Sequence, residues 1–251
     1  MLTLSRILRD LIPQAASSAF SLFCQSACNF DALHLYSMPA NINTLEALLE
    51  QSAKLHTAIG KHREQLGLHP GNRYLLSATA TVISLEHALG ILTLMAGSGF
   101  TSTFALFRVQ YEALTRGIWL LYGASEEWVD KLSAPLTTEN AKKANEGPML
   151  SKMLEELEGK APDVVMSQLK EFKEYSWKAL SSYIHVGLHP LTRKAEGYPV
   201  ALIEQVLRQS NGLALMGTML LTMLSGDPRQ QGKVAALQRE FSGCCPNPAG
   251  A

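Results

Sequence analysis

From Arg73 to Tyr122 the chain is apolar almost throughout, and the clearest break in that run is the short turn "GSGF" at Gly97–Phe100. Two apolar segments of helical length joined by so short a turn fold back on each other as an antiparallel hairpin. The first holds Leu75, Leu76, Val82, Ile83, Leu85 and Leu89, apolar on most sides, and the second runs from Ser102 or Thr103 to Tyr122. A helix apolar all round is a core helix. The rest of the chain must therefore supply the walls that cover this hairpin.

Those walls read as helices too. An amphipathic helix begins near Asn43 or Thr44, with Glu46 and Glu50 in its early turns and "GLHPGN" at its exit. Pro162 opens a long helix that Gly187 closes. "LHPLTRKAEGYPV" reads as a loop, and an apolar helix follows from about Pro199 to Leu224. A short amphipathic piece, "RQQGKVAALQREF", comes last. Between Ser125 and Gly159 the pattern loosens into short helices and a flexible excursion around "LTTENAKKANEGP". No segment alternates in the way a half-buried strand must, and no repeat of fixed period appears. The fold class expected is all-α: a single helical bundle over 43–241 with a central antiparallel hairpin and a long helix near 162–187. Residues 1–42 are expected to be poorly ordered or weakly helical, with Met38 as an alternative start, and residues 242–251 to form a flexible tail.

Charge and cysteine usage restrict the function classes. Charged residues make up 18% of the chain, and 22 Lys plus Arg balance 22 Asp plus Glu. A zero balance provides no long-range attraction to nucleic acid or anionic lipid. Cys24 and Cys28 stand at helical spacing, Cys244 and Cys245 are adjacent, and neither pair has the spacing of a zinc site. No metal or other cofactor is expected, and the thiols fit a reduced, cytoplasmic protein. "VISLEHALGILTLMA" is interrupted by Glu86 and His87, and "GLALMGTMLLTMLSG" is shorter than the roughly 20 residues a membrane span needs. Both read as core helices, with no membrane partner.

Within the hairpin, "FRVQYEALTRGIWLLYG" carries Arg108, Glu112 and Arg116 at four-residue intervals. On a helical wheel they fall at about 0°, 40° and 80°, a narrow charged stripe with apolar flanks on both sides. Three placements are open: a structural ion-pair network, a solvent-facing stripe, or a cleft in which Glu112 neutralises one arginine and leaves positive charge for a ligand. A second constellation lies in "WKALSSYIHVGLHP", where Ser181 and Ser182 precede His185 at helical spacing and His189 follows. A hydroxyl beside an imidazole is the start of a nucleophile, but a third group must orient the base, and Glu112 is the candidate. The wheel sets His185 near Lys178 and Glu174 on the polar side. His185 and His189 are also spaced as a helical metal pair, which Gly187 and Pro190 interrupt. The chain has no dinucleotide, phosphate-loop or nucleophile-elbow motif.

The pattern G-x-x-x-x-x-x-x-x-R-x-x-Y-E from Gly99, followed by S-S-Y-x-H, resembles a group of bacterial helical proteins, some of which resemble the HEPN superfamily. The resemblance covers about Arg73 to Pro190 and rests on Arg108, Glu112, Ser182 and His185. It implies an all-α fold and, since many HEPN domains are ribonucleases of toxin–antitoxin and anti-phage systems, RNA as a substrate. The arginine-to-histidine nuclease signature has its literal match at Arg63–His69, at the end of an early helix rather than near a helix start. Two readings follow. In one, Arg108, Glu112 and His185 are catalytic, while Arg116, Ser182 and His189 hold RNA or another anionic ligand. In the other, the protein is a non-enzymatic binding or scaffold bundle whose charges fix helix register. Its methionine-rich last helix then pairs with a second copy as a homodimer.

Overall fold

A computed structural model describes residues 42–138 and 147–246 of the chain. Among these described residues the secondary structure is helical, with no strand, so the chain is an all-α bundle. The N-terminal segment through residue 41, with Met38, Cys24 and Cys28, lies outside the described residues, as does most of the polar excursion expected at 136–148.

Helices α1 (Ile42–Arg63), α2 (Asn72–Ala96) and α3 (Phe100–Tyr122) come first, and α2 and α3 form the expected hairpin across the Gly97–Gly99 turn. The short α4 (Glu126–Ser133) lies against α2, and α5 (Leu150–Leu157) against α3. The long α6 (Asp163–Ile184) runs along α3, α7 (Leu188–Glu196) sits on α6, and α8 (Val200–Leu224) fills the centre against α2, α1 and α3. Then α9 (Gln231–Glu240) closes over α8.

Close approach of α2, α3 and α8 depends on small residues. A Cβ on Gly117 would come within 2.5 Å of Thr81 Oγ1, and one on Gly217 within 3.2 Å of the Thr81 methyl. With backbones this near, polar side chains inside the core can reach partners on other helices. Ser77 donates to Gly117 O at 2.7 Å and Ser84 to Gln110 O at 2.8 Å. Gln110 donates to Ser210 O at 2.9 Å and accepts from Ser210 Oγ at 2.7 Å. Arg73 pins the open end of the hairpin, donating to Leu120 O and to Glu126, both at 2.7 Å. Satisfied in this way, buried polar groups specify register instead of destabilising the core.

Four expectations are corrected. The stretch Leu188–Glu196 is a helix, not a loop: Pro190 falls in its first turn, where the missing N–H costs nothing. Residues 242–246 are not a free tail. Cys244 and Cys245 are buried, Asn211 of α8 donates to Cys244 O at 2.8 Å, and Arg208 donates to Gly243 O. The methionine-rich α8 is not a pairing surface, because Met216 and Met219 are almost fully enclosed by this chain's own helices. Finally, Glu86 and His87 do not disqualify α2 by composition. It is the described helix long and apolar enough to cross a membrane, with a mean hydropathy of 1.5 in a window that is 44% buried in the bundle. Its outward residues Leu75, Ile83 and Leu89 remain exposed.

Candidate functional site

The charged stripe of α3 faces α6. Aromatic packing sets this alignment: Tyr111 stacks on Phe172 at 4.0 Å and donates its hydroxyl to Leu169 O at 2.6 Å, while Phe107 meets Phe172 edge-on at 5.2 Å. Burial pushes the Tyr111 phenol far up, Thr115 opposing the effect and the Glu112 charge adding to it, so it stays a neutral donor. On the next turn Arg108 donates to Glu112 at 3.1 Å and lays its guanidinium 4.0 Å above the Trp177 ring. The Arg108 side chain is only 15% exposed and Glu112 35%. Arg108 is thus matched on one edge by a carboxylate and on one face by an indole, the arrangement that makes a half-buried cation tolerable. Arg116 lies two turns further along, against Gly147, where a Cβ would meet its Nη1 at 2.8 Å. Burial lowers the Arg116 pKa, and the charge of Glu112, one turn back on the same helix, works against that.

Ser182, His185 and His189 occupy the corner between α6 and α7, and this corner is apart from the stripe. Trp177, the partner of Arg108, is eight residues before His185, about 12 Å along a helix axis. The hydroxyls do not engage the imidazole. Ser181 donates to Trp177 O at 2.7 Å, and Ser182 accepts the backbone N–H of His189 at 3.2 Å, capping the start of α7. His185 is the exposed C-terminal cap of α6. Between it and His189, Val186 is held at φ 52, a left-handed conformation that is an outlier for a β-branched residue. The six residues singled out in the sequence therefore do not assemble into one catalytic site.

One of them, His189, does line a cavity. This space of about 190 Å³ lies between α3, α6, α7 and α8. Phe104 and Phe107 of α3 and Leu180 and Tyr183 of α6 form its aromatic side, and Leu202 and Val206 of α8 its aliphatic side. Phe107, Leu180 and Val206 are buried, whereas Tyr175 is 46% exposed and His189 also reaches solvent, so the mouth is at that end. Polar groups enter at two levels. Deep inside, the Gln209 side chain is only 7% exposed. Nearer the mouth, Arg193 of α7 is half-buried and forms no ion pair with a carboxylate among the described residues. Burial pushes the Tyr183 phenol up to about 12, Tyr198 adding to the effect and Arg193 opposing it, so Tyr183 remains un-ionised.

A family model matches residues 81–247, from the middle of α2 to just beyond the chain's buried cysteines. The chain belongs to DUF6988, a family of unknown function. Neither a curated protein nor a solved structure matches it. All four walls of the cavity and all of the charged stripe lie inside the DUF6988 segment. Of the cavity's polar groups, His189 is legible from the sequence, whereas Gln209 and Arg193 are not. Gln209 reads there as one polar residue on an apolar helix, and Arg193 sits in a stretch with the composition of a loop.

Proposed function

We propose that this DUF6988 protein is a non-enzymatic ligand-binding bundle of the cytoplasm, where Cys244 and Cys245 stay reduced. It takes a small, largely apolar molecule into the cavity between α3, α6, α7 and α8. The observation that carries this reading is the aromatic lining with the buried Gln209 side chain inside it. Concave apolar sites with a few convergent polar groups are where small molecules bind. A cavity near 150 Å³ accepts a molecule the size of benzene, so the space suits a single ring or a short branched chain.

The HEPN-like ribonuclease reading gains less from the geometry. Arg108 is already matched by Glu112 and Trp177, and His185 caps a helix about 12 Å away along its axis. The groove beside Trp177 sets Lys170, Lys173 and Lys178 against Glu155, Glu158 and Glu174, so its charges cancel where a phosphate backbone would need them positive.

An NMR titration with benzyl alcohol tests the proposal. The probe should shift the amide signals of the four cavity walls, and Ala179→Leu, which fills the cavity, should abolish those shifts. No wall shift in the wild-type protein overturns the ligand-binding reading. RNA cleavage that disappears in His185→Ala overturns the non-enzymatic one.

A further inference from the structure

The cavity's polar groups also indicate what kind of molecule fits. Its charged lining is of one sign: Arg193 is the cation, and no Asp or Glu lines the space. Two arginines of the central hairpin have carboxylates. Arg73 has Glu126 at 2.7 Å and Arg108 has Glu112 at 3.1 Å. Arg193 has none among the described residues, although it stands over an apolar cavity where a lone charge is most costly.

Arg193 and His189 are held in place by the same short helix. They are four residues apart on α7, so both project from one face of it toward the cavity. The start of α7 is fixed by Ser182, whose hydroxyl takes the His189 N–H, and by the left-handed Val186 that turns the chain out of α6. Strain of this kind persists where the surroundings impose it, often beside a ligand site. At the other end of the cavity the lining is aromatic and aliphatic, with Gln209 deep within it. The site thus has an apolar interior and a cationic rim.

Resting on the ligand-binding reading above, we propose that the cavity takes a small organic carboxylate: its single ring or branched chain lies among Phe104, Phe107, Tyr183 and Val206, and its carboxylate is held by Arg193 at the rim. The guanidinium fork matches two carboxylate oxygens. Gln209 reads a polar substituent on the buried end. A neutral ligand of the same size fills the interior equally well but leaves Arg193 unpaired.

The test is a matched pair of probes, benzoate and benzyl alcohol, titrated calorimetrically into the wild-type protein and into Arg193→Gln. A hydrogen-bonded charge pair predicts that benzoate binds the wild type about tenfold or more tighter than benzyl alcohol. In Arg193→Gln the ratio of the two affinities should fall to about one, while the unchanged amide dispersion and melting temperature show the variant is folded. Equal affinities in the wild type, or a ratio that survives in Arg193→Gln, overturn the carboxylate assignment and leave the cavity standing as a neutral site. Failure of both probes to bind overturns the assignment together with the ligand-binding reading.

Discussion

Arg108 gains its place from two neighbours that act differently. Glu112 offsets its charge at 3.1 Å but is one-third exposed, so water screens that pairing, whereas Trp177 covers the guanidinium face at 4.0 Å. Arg108→Ala is expected to lower stability by about 2 kcal/mol in urea titrations, and Glu112→Gln by less than about 1 kcal/mol. Equal losses in the two variants would show the ion pair, not the indole, to be the main contact. His56 gives a second single-residue expectation. Burial pushes its imidazole from 6.5 down to about 4, against a weaker upward pull from Asn211. The folded protein thus binds fewer protons than the unfolded chain below pH 6.5, so stability is fully present above that value and falls as pH drops toward 4. The total loss from this group is about 3 kcal/mol. Urea midpoints from pH 7 to 4 measure it, and His56→Gln should flatten that slope.

At the scale of helices, the seam between α2, α3 and α8 leaves no room to grow. Gly117→Ala would put a methyl group 2.5 Å from Thr81 Oγ1 and 3.2 Å from Ser77 O. It should destabilise by about 1–3 kcal/mol despite alanine's better helix propensity, as a denaturation midpoint will show. The corner between α6 and α7 should respond in the opposite direction. Val186 is exposed and strained at φ 52, so Val186→Gly should raise stability by up to about 1 kcal/mol, with a correspondingly later melting transition. Helices were legible in proportion to their periodicity. The bounds expected for α2 and α8 lie within one or two residues of those observed, because long apolar runs between glycine and proline breakers admit few alternatives. Helix α7 is not legible in the sequence because its polar composition and Pro190 resemble a loop, and its helical state depends on the Ser182 cap and on packing against α6.

For the whole molecule, the chain's last described segment is structural. Asn211 links Ser52 of α1 and Cys244 O at 2.8 Å each, so α1, α8 and the segment after α9 share one buried hydrogen-bond junction. Ending the chain after Phe241 removes two buried cysteines and one partner of Asn211, and should lower stability by about 2–4 kcal/mol in urea titrations. A truncated protein as stable as the full chain would return residues 242–246 to the status of a tail. The sequence by itself determined the all-helical class, the central hairpin and the narrow charged stripe, because periodicity and breakers act over a few turns of one segment. Only the tertiary structure decided that Arg108 is matched by Trp177, that Ser182 caps a helix, and that Gln209, Arg193 and His189 meet around one cavity. Those relations join residues from different helices, and their distances depend on how the helices pack, which no local spacing encodes.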